Sequence, residues 1–314
     1  METDTGKDPN DLLCSKFSIE KYKNKMKILA GIVLYNPDIE RLQENLNAIS
    51  GQVDKVLLID NGSSDISRIK FVSNNDNYSI VSNKENMGIA HALNQILHYC
   101  IQNDYDWFLT LDQDSVANRY LVKNYSSFLR THPEINCGCI TSNIIDRNFE
   151  REEKYSDDCD FKIINYCITS GSMMNAKIIH SIGGFDDRMF IDKVDTEICI
   201  RIVNNGYQII RINYDGVLHE IGHAKQISLV FRTWDLYNHP PIRRYYMCRN
   251  AVYLMKKYHS RYTLKVLMGE ILQTVLVLIH EDEKRKKIAF SFHGYKDGVQ
   301  GRMGSIPKTY LENN

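Results

Sequence analysis

Trp107-Phe108-Leu109-Thr110-Leu111-Asp112-Gln113-Asp114-Ser115 is a short apolar run that breaks directly into acid. A run of this length and character reads as a buried strand. Strand geometry sends positions two apart to the same face, so Asp112 and Asp114 can approach one cation. Oxygen ligands of this kind suit Mg²⁺ or Mn²⁺ that is also held by substrate phosphates. Taken alone, an Asp-x-Asp is more often a polar turn with solvated side chains, so the surrounding sequence decides.

Upstream, Ile28 to Leu34 is a continuous apolar run ended by Tyr35-Asn36-Pro37, and a helix is expected through Leu42, Leu46 and Ile49. Val56 to Ile59 repeats the pattern and breaks at Asp60-Asn61-Gly62-Ser63-Ser64-Asp65. A third strand at Tyr78 to Ser82 leads through Asn86-Met87-Gly88 into a helix carrying Ala90, Leu93 and Leu97. Strands alternating with helices imply a parallel, doubly wound α/β sheet, whose ligands bind beyond the carboxyl ends of the strands. No Gly-x-Gly-x-x-Gly follows the first strand, which argues against a dinucleotide-binding dehydrogenase.

Downstream, further strands are expected between Cys137 and Asn175, with an acidic insertion near Glu150 to Asp160, then a helix from Ala176 to Ile182 closed by Gly183-Gly184. Asp192, Asp195 and Glu197 then crowd into a short apolar segment that opens another helix. A carboxylate at the mouth of such a helix can act as a general base, and others of the three can serve as N-cap or first-turn acids. Arg243, Arg244 and Arg249, interleaved with Tyr245 and Tyr246, read either as a phosphate-holding cluster or as a solvated helix face. The helix from Leu264 to Ile279, followed by Lys284 to Lys287, fits either a segment lying on an anionic membrane or a packed core helix.

Lys and Arg total 39 and Asp and Glu total 39, so no global field points to nucleic acid. The eight cysteines are scattered and read as reduced thiols, and residues 1–24 are polar without a secretory pattern, which together predict a cytoplasmic protein. The longest apolar stretch, Val266 to Ile279, is interrupted and falls short of the ~20 residues needed to span a bilayer. The chain divides by pattern into a lead-in over 1–24, an α/β domain over 25–233 and a helical, basic region over 234–314 that is a possible acceptor or membrane-surface contact.

The ordered segments LLIDNGSSD, NKENMGIAHALN, LTLDQDS and SGSMMNAKIIHSIGGFDDRMFIDKVDTEICIR resemble the family 2 glycosyltransferases of the GT-A fold. With LHEIGH and HPPIRRYYMCRN they look most like the bacterial polysaccharide rhamnosyltransferases, over roughly Lys27 to Gly304. The resemblance implies a GT-A nucleotide-diphospho-sugar transferase domain with a mostly parallel, Rossmann-like sheet and a helical C-terminal extension. It implies contacts to the nucleotide sugar at Val33, Tyr35 and Asp60, with Asp65, Asn86 and Gly88 nearby, and at Asp112; Gln113, Arg201, His219 and Arg244 are further candidates for the same ligand, read from the residues themselves. Asp112 and Asp114 match the family's DxD signature, and His219 would complete a metal site for Mg²⁺ or Mn²⁺ or contact the diphosphate. His223 is a weaker candidate for the same role.

Asp195 falls where these enzymes carry the catalytic base, although Val194-Asp195 replaces the commoner Glu-Asp pair and leaves Asp192 as a competitor. The implied reaction is inverting transfer of L-rhamnose from dTDP-L-rhamnose to a lipid-linked saccharide in surface polysaccharide synthesis, at the cytoplasmic membrane surface. Alternatives are the same chemistry with a UDP-hexose donor such as UDP-galactose or UDP-glucose, and a non-catalytic nucleotide-binding scaffold of a polysaccharide assembly complex.

Overall fold

The apolar runs become strands covered on both faces. In chain order the first half is β1 (Ile28–Leu34), α1 (Ile39–Ile49), β2 (Lys55–Asp60), α2 (Ile66–Val72), β3 (Tyr78–Ser82), α3 (Ile89–Gln102) and β4 (Trp107–Asp112). The second half continues with β5 (Val116–Ala117), α4 (Leu121–Thr131), β6 (Cys137–Asp146), β7 (Phe161–Ile164), β8 (Ser172–Asn175), α5 (Ala176–Ser181), α6 (Val194–Asn204), β9 (Gln208–His219), β10 (Lys225–Leu229) and β11 (Arg232–Leu236). Four helices close the chain: α7 (Pro241–Tyr258), α8 (Arg261–His280), α9 (Lys284–Gln300) and α10 (Lys308–Glu312). This computed structural model describes residues 25–72, 76–146, 159–219, 225–229, 232–236 and 238–312. The helix read near Leu12 to Tyr22, most of the acidic insertion, and His223 lie outside the described residues.

The main sheet runs β3-β2-β1-β4-β8-β6-β9-β5, with β7 also paired to β9. The four strands read from the first half of the sequence are mutually parallel, while β8 runs antiparallel to both β4 and β6. Chain order reverses direction across β1, which has β2 on one side and β4 on the other, and a crevice opens at such a switch point. Val33 and Asp112 are register partners there.

Alternation along β1 sorts the core. Ile28, Ala30, Ile32 and Leu34 pack against Leu42, Leu46 and Ile49 of α1, and Leu29 packs on the opposite face with Leu93 and Ile96 of α3. Leu254 of α7 belongs to that second cluster, so the C-terminal helices share the core of the sheet. α9 lies along α7 at Gly294 and Gly298, where any side chain would strike the backbone of Tyr245 and Arg249.

The apolar count from Val266 stopped short of membrane length, but the helix begins earlier: Ser260 and Thr263 form a reciprocal capping box that starts α8 at Arg261. The resulting 20-residue helix is long and apolar enough to cross a membrane by length and composition, and only 22 % of its apolar window is buried.

Candidate active site

A cleft of about 780 Å³ opens at the carboxyl ends of β1 and β4. Val33, Tyr35, Asn86, Gly88, Asp112, Gln113, Asp114, Asp192, Asp195 and His219 all line it, so residues from five separate segments converge on one volume. Gln113 joins two of these segments, accepting from the Tyr35 backbone N–H at 2.9 Å. Asp112 is fixed through its own backbone, which receives Asn45 at 2.8 Å and donates to Ser170 Oγ at 3.0 Å.

Asp112, Asp114 and His219 each offer a ligand atom, all within 4.8 Å of one another. His219 Nδ1 meets Ser115 Oγ at 2.8 Å, and Nε2 faces Asp112 Oδ2 at 3.8 Å. A ring whose Nδ1–H is held by a neighbour presents the Nε2 lone pair to a cation, so this donor set fits a divalent ion. The Asp112 carboxylate remains open to the cleft, with 47 % of its side chain exposed, yet it sits deep below the surrounding protein. That depth raises its pKa, the charges of Asp114 and Asp195 add to the rise, and His219 and Arg243 oppose it.

Asp195 stands in the first turn of α6. Tyr166 Oη donates to its Oδ2 at 2.7 Å and the Thr196 N–H to its Oδ1 at 2.8 Å. Burial nevertheless pushes the carboxyl above its ordinary value, against the lowering effect of those two donors and of Lys193. Asp192, also raised by burial, is differently engaged: Arg243 Nε donates to its Oδ1 at 3.1 Å.

The segment before α6 is conformationally unusual, with Phe190, Asp192 and Lys193 all at positive φ. It is held from α7, where Asn250 donates to the carbonyls of Met189, Ile191 and Asp192, and the buried Arg249 donates to Met189 O at 2.8 Å. It is also held from α3, whose Ile89 N–H donates to Phe190 O. Gly88, at φ +88°, permits that contact, because a Cβ there would lie 2.6 Å from Phe190 O.

Several expected residues are placed elsewhere. Arg201 turns to the buried Glu197, with Nη2 at 2.5 Å, and Arg244 is buried against Glu270 at 3.2 Å, so neither lines the cleft. Arg249 holds backbone rather than phosphate, and Arg243 is the arginine of the trio that reaches the cleft. Asp60 is buried and accepts from the Ser63 N–H, while exposed Asp65 accepts from Ser67. Neither Asp60 nor Asp65 lines the cleft.

Residues 30–183 match the family model described as Glycosyl transferase family 2, which runs from within β1 past the end of α5 and includes Asp112 and Asp114. The chain is a family 2 glycosyltransferase. The enzyme is 25 % identical over 296 residues to dTDP-rhamnosyl transferase RfbF of Shigella flexneri, covering 88 % of this chain and 97 % of that one. Its fold is similar to S. aureus TarS 1-349 in complex with UDP-GlcNAc, with a TM-score of 0.57 at 14 % identity over 91 % of this chain and 83 % of that one. GalNAc-T7 with UDP, GalNAc and Mn²⁺ is also similar, with a TM-score of 0.56 at 12 % identity over 88 % of this chain and 56 % of that one. The glycosyltransferase therefore has the GT-A architecture, with a helical extension.

Residues that sequence reasoning missed in this glycosyltransferase are Asn61 and Tyr166. Buried Asn61 ties the strand ends together, donating to Asn86 Oδ1 and Gly88 O and accepting from Asn83 and the Met87 N–H. Asn83 in turn exchanges amide hydrogen bonds with Gln95. Asn61 stands next to Asp60 in the quoted motif, so its signal was present. Tyr166 sits in an irregular stretch between β7 and β8, where no periodicity marks it.

Proposed function

We propose that this glycosyltransferase moves L-rhamnose from dTDP-L-rhamnose to a hydroxyl of a lipid-linked saccharide, with inversion, at the cytoplasmic face of a membrane. The carrying observation is the convergence of the Asp112, Asp114 and His219 donor set with Asp195 on one cleft. The likeness to a dTDP-rhamnosyl transferase supports the choice of donor.

An acceptor hydroxyl is a weak nucleophile and needs a base within hydrogen-bond reach. Asp195 takes that proton as the oxygen attacks the anomeric carbon and the bond to the diphosphate breaks; one displacement inverts the centre. Burial of Asp195 brings its basicity closer to the working pH, while Tyr166 and the Thr196 N–H fix both oxygens in place. Asp192 is the poorer base, because Arg243 occupies it. Val33, Tyr35, Asn86 and Gly88 line the part of the cleft where the nucleotide would lie, and Arg243 is placed to meet phosphate. Mg²⁺ or Mn²⁺ held by Asp112, Asp114 and His219 would neutralise negative charge on the departing diphosphate.

The fold neighbours hold UDP and UDP-GlcNAc, which favours a UDP-hexose donor as the second reading. Thermal-shift measurement with dTDP-rhamnose, dTDP, UDP and UDP-sugars, each with Mg²⁺, Mn²⁺ or EDTA, separates them, because a ligand that binds only the folded state raises the melting temperature. Metal-dependent stabilisation by dTDP species is expected. Selective response to UDP species would move the donor, and silence towards every nucleotide would overturn the proposed donor site.

A further inference from the structure

The solvent face of α8 is apolar along its length. Leu264, Met268, Ile271, Val275 and Leu278 recur at spacings of four, three, four and three, which is one stripe of a helix. With Leu272 and Ile279 beside them, these residues are each 38–56 % exposed. The stripe extends about 22 Å from Leu264 to Ile279 at the helical rise per residue. The opposite face of α8 meets the protein through both polar and apolar contacts: Leu276 and Val277 are buried there, Glu270 binds Lys193 at 2.7 Å and Arg244 at 3.2 Å, and Thr274 receives Arg244 at 2.8 Å.

Charge says what covers the stripe. Residues 238–312 hold 14 Lys and Arg against 6 Asp and Glu, a net charge of +8 in a chain whose total is zero. Exposed Arg261 and Lys265 stand at one end of the stripe, and exposed Lys284, Arg285 and Lys286 follow the other, just beyond exposed Asp282 and Glu283. A second copy across a two-fold axis would bring these basic ends together, which opposes self-association. A bilayer span would put Glu270 and its ion pairs into hydrocarbon, which costs several kcal/mol.

We propose that α8 is a membrane-surface seat: its apolar stripe enters the interface of an anionic lipid layer, and the flanking Lys and Arg residues contact the headgroups. This face is separate from the cleft, and its test needs no turnover.

The experiment is cosedimentation of the full chain with phosphatidylglycerol-containing and with pure phosphatidylcholine vesicles at low and high salt. Binding to the anionic vesicles, weakened by salt and several-fold lower on phosphatidylcholine, is expected. The triple variant Met268→Asp, Ile271→Asp, Val275→Asp should lower binding at least tenfold. Lys284→Glu, Arg285→Glu, Lys286→Glu should lower it on the order of a hundredfold, at about fivefold or more per basic residue near an anionic surface. That second variant changes only exposed charge and carries the test if the first fails to fold. No sedimentation with anionic vesicles, or binding that neither variant reduces, overturns the proposal. So does a wild-type dimer that the aspartate variant turns into a monomer.

Discussion

Asp195 holds a carboxyl that burial keeps above its ordinary pKa, and this sets opposite demands on stability and turnover. A group whose folded pKa lies above its unfolded value stabilises the fold at low pH and loses that contribution as pH rises through the folded pKa. At neutral pH the ionised carboxylate is therefore a burden on the fold. Asp195→Asn should lower turnover by roughly 10²–10⁴-fold, with donor binding intact and a melting temperature at pH 7 no lower than wild type; a large drop in melting temperature would show that the charge is structural. Tyr166→Phe removes a donor that lowers the same pKa, so the acid limb of the kcat/KM profile should move to higher pH. Asp112 and Asp114 were legible in sequence because a period of two and an abrupt end to an apolar run suffice to pair them. Arg201 and Arg244 point away from the cleft to Glu197 and Glu270, and an ion pair of this kind leaves no mark on local pattern.

The strands of the first half were readable as continuous apolar runs, and the parallel half-sheet followed from their alternation with helices. The segment from Phe190 to Lys193 was not readable as a shaped loop, since its backbone is imposed by α7 from about sixty residues away. Asn250→Ala withdraws a donor from three carbonyls and should cost about 2–4 kcal/mol; chemical denaturation measures it, and a near-neutral result would mean the loop holds itself. Gly88→Ala forces a side chain onto Phe190 O at a left-handed position, so it should lower the melting temperature and weaken donor binding together. Loss of stability with donor affinity unchanged would separate α3 from the cleft.

At the scale of the molecule, a boundary near residue 233 follows from composition, but contacts cross it densely. Lys257 of α7 pairs with both Asp186 and Glu197, at 2.8 and 2.6 Å, and Tyr253 and Tyr258 donate to the same two acids. Burial alone would raise Asp186, but hydrogen bonds from Arg188, Lys257 and Tyr253 outweigh it and hold the carboxyl well below the usual range. Its contribution is present above the ordinary carboxylate pKa and is lost as pH falls through the folded value. The full chain should thus unfold in one transition by calorimetry, and residues 25–233 alone should fail to give a cooperative one; two separable transitions would restore an independent boundary. The amide lattice of Asn61, Asn83, Asn86 and Gln95 has a consequence of another kind. Its members carry no ionisable proton, so that bank of the cleft is a pH-indifferent shelf facing a titrating one. A bare nucleoside should then bind with constant affinity across the pH interval in which catalysis switches on, leaving the acid shelf to govern rate alone.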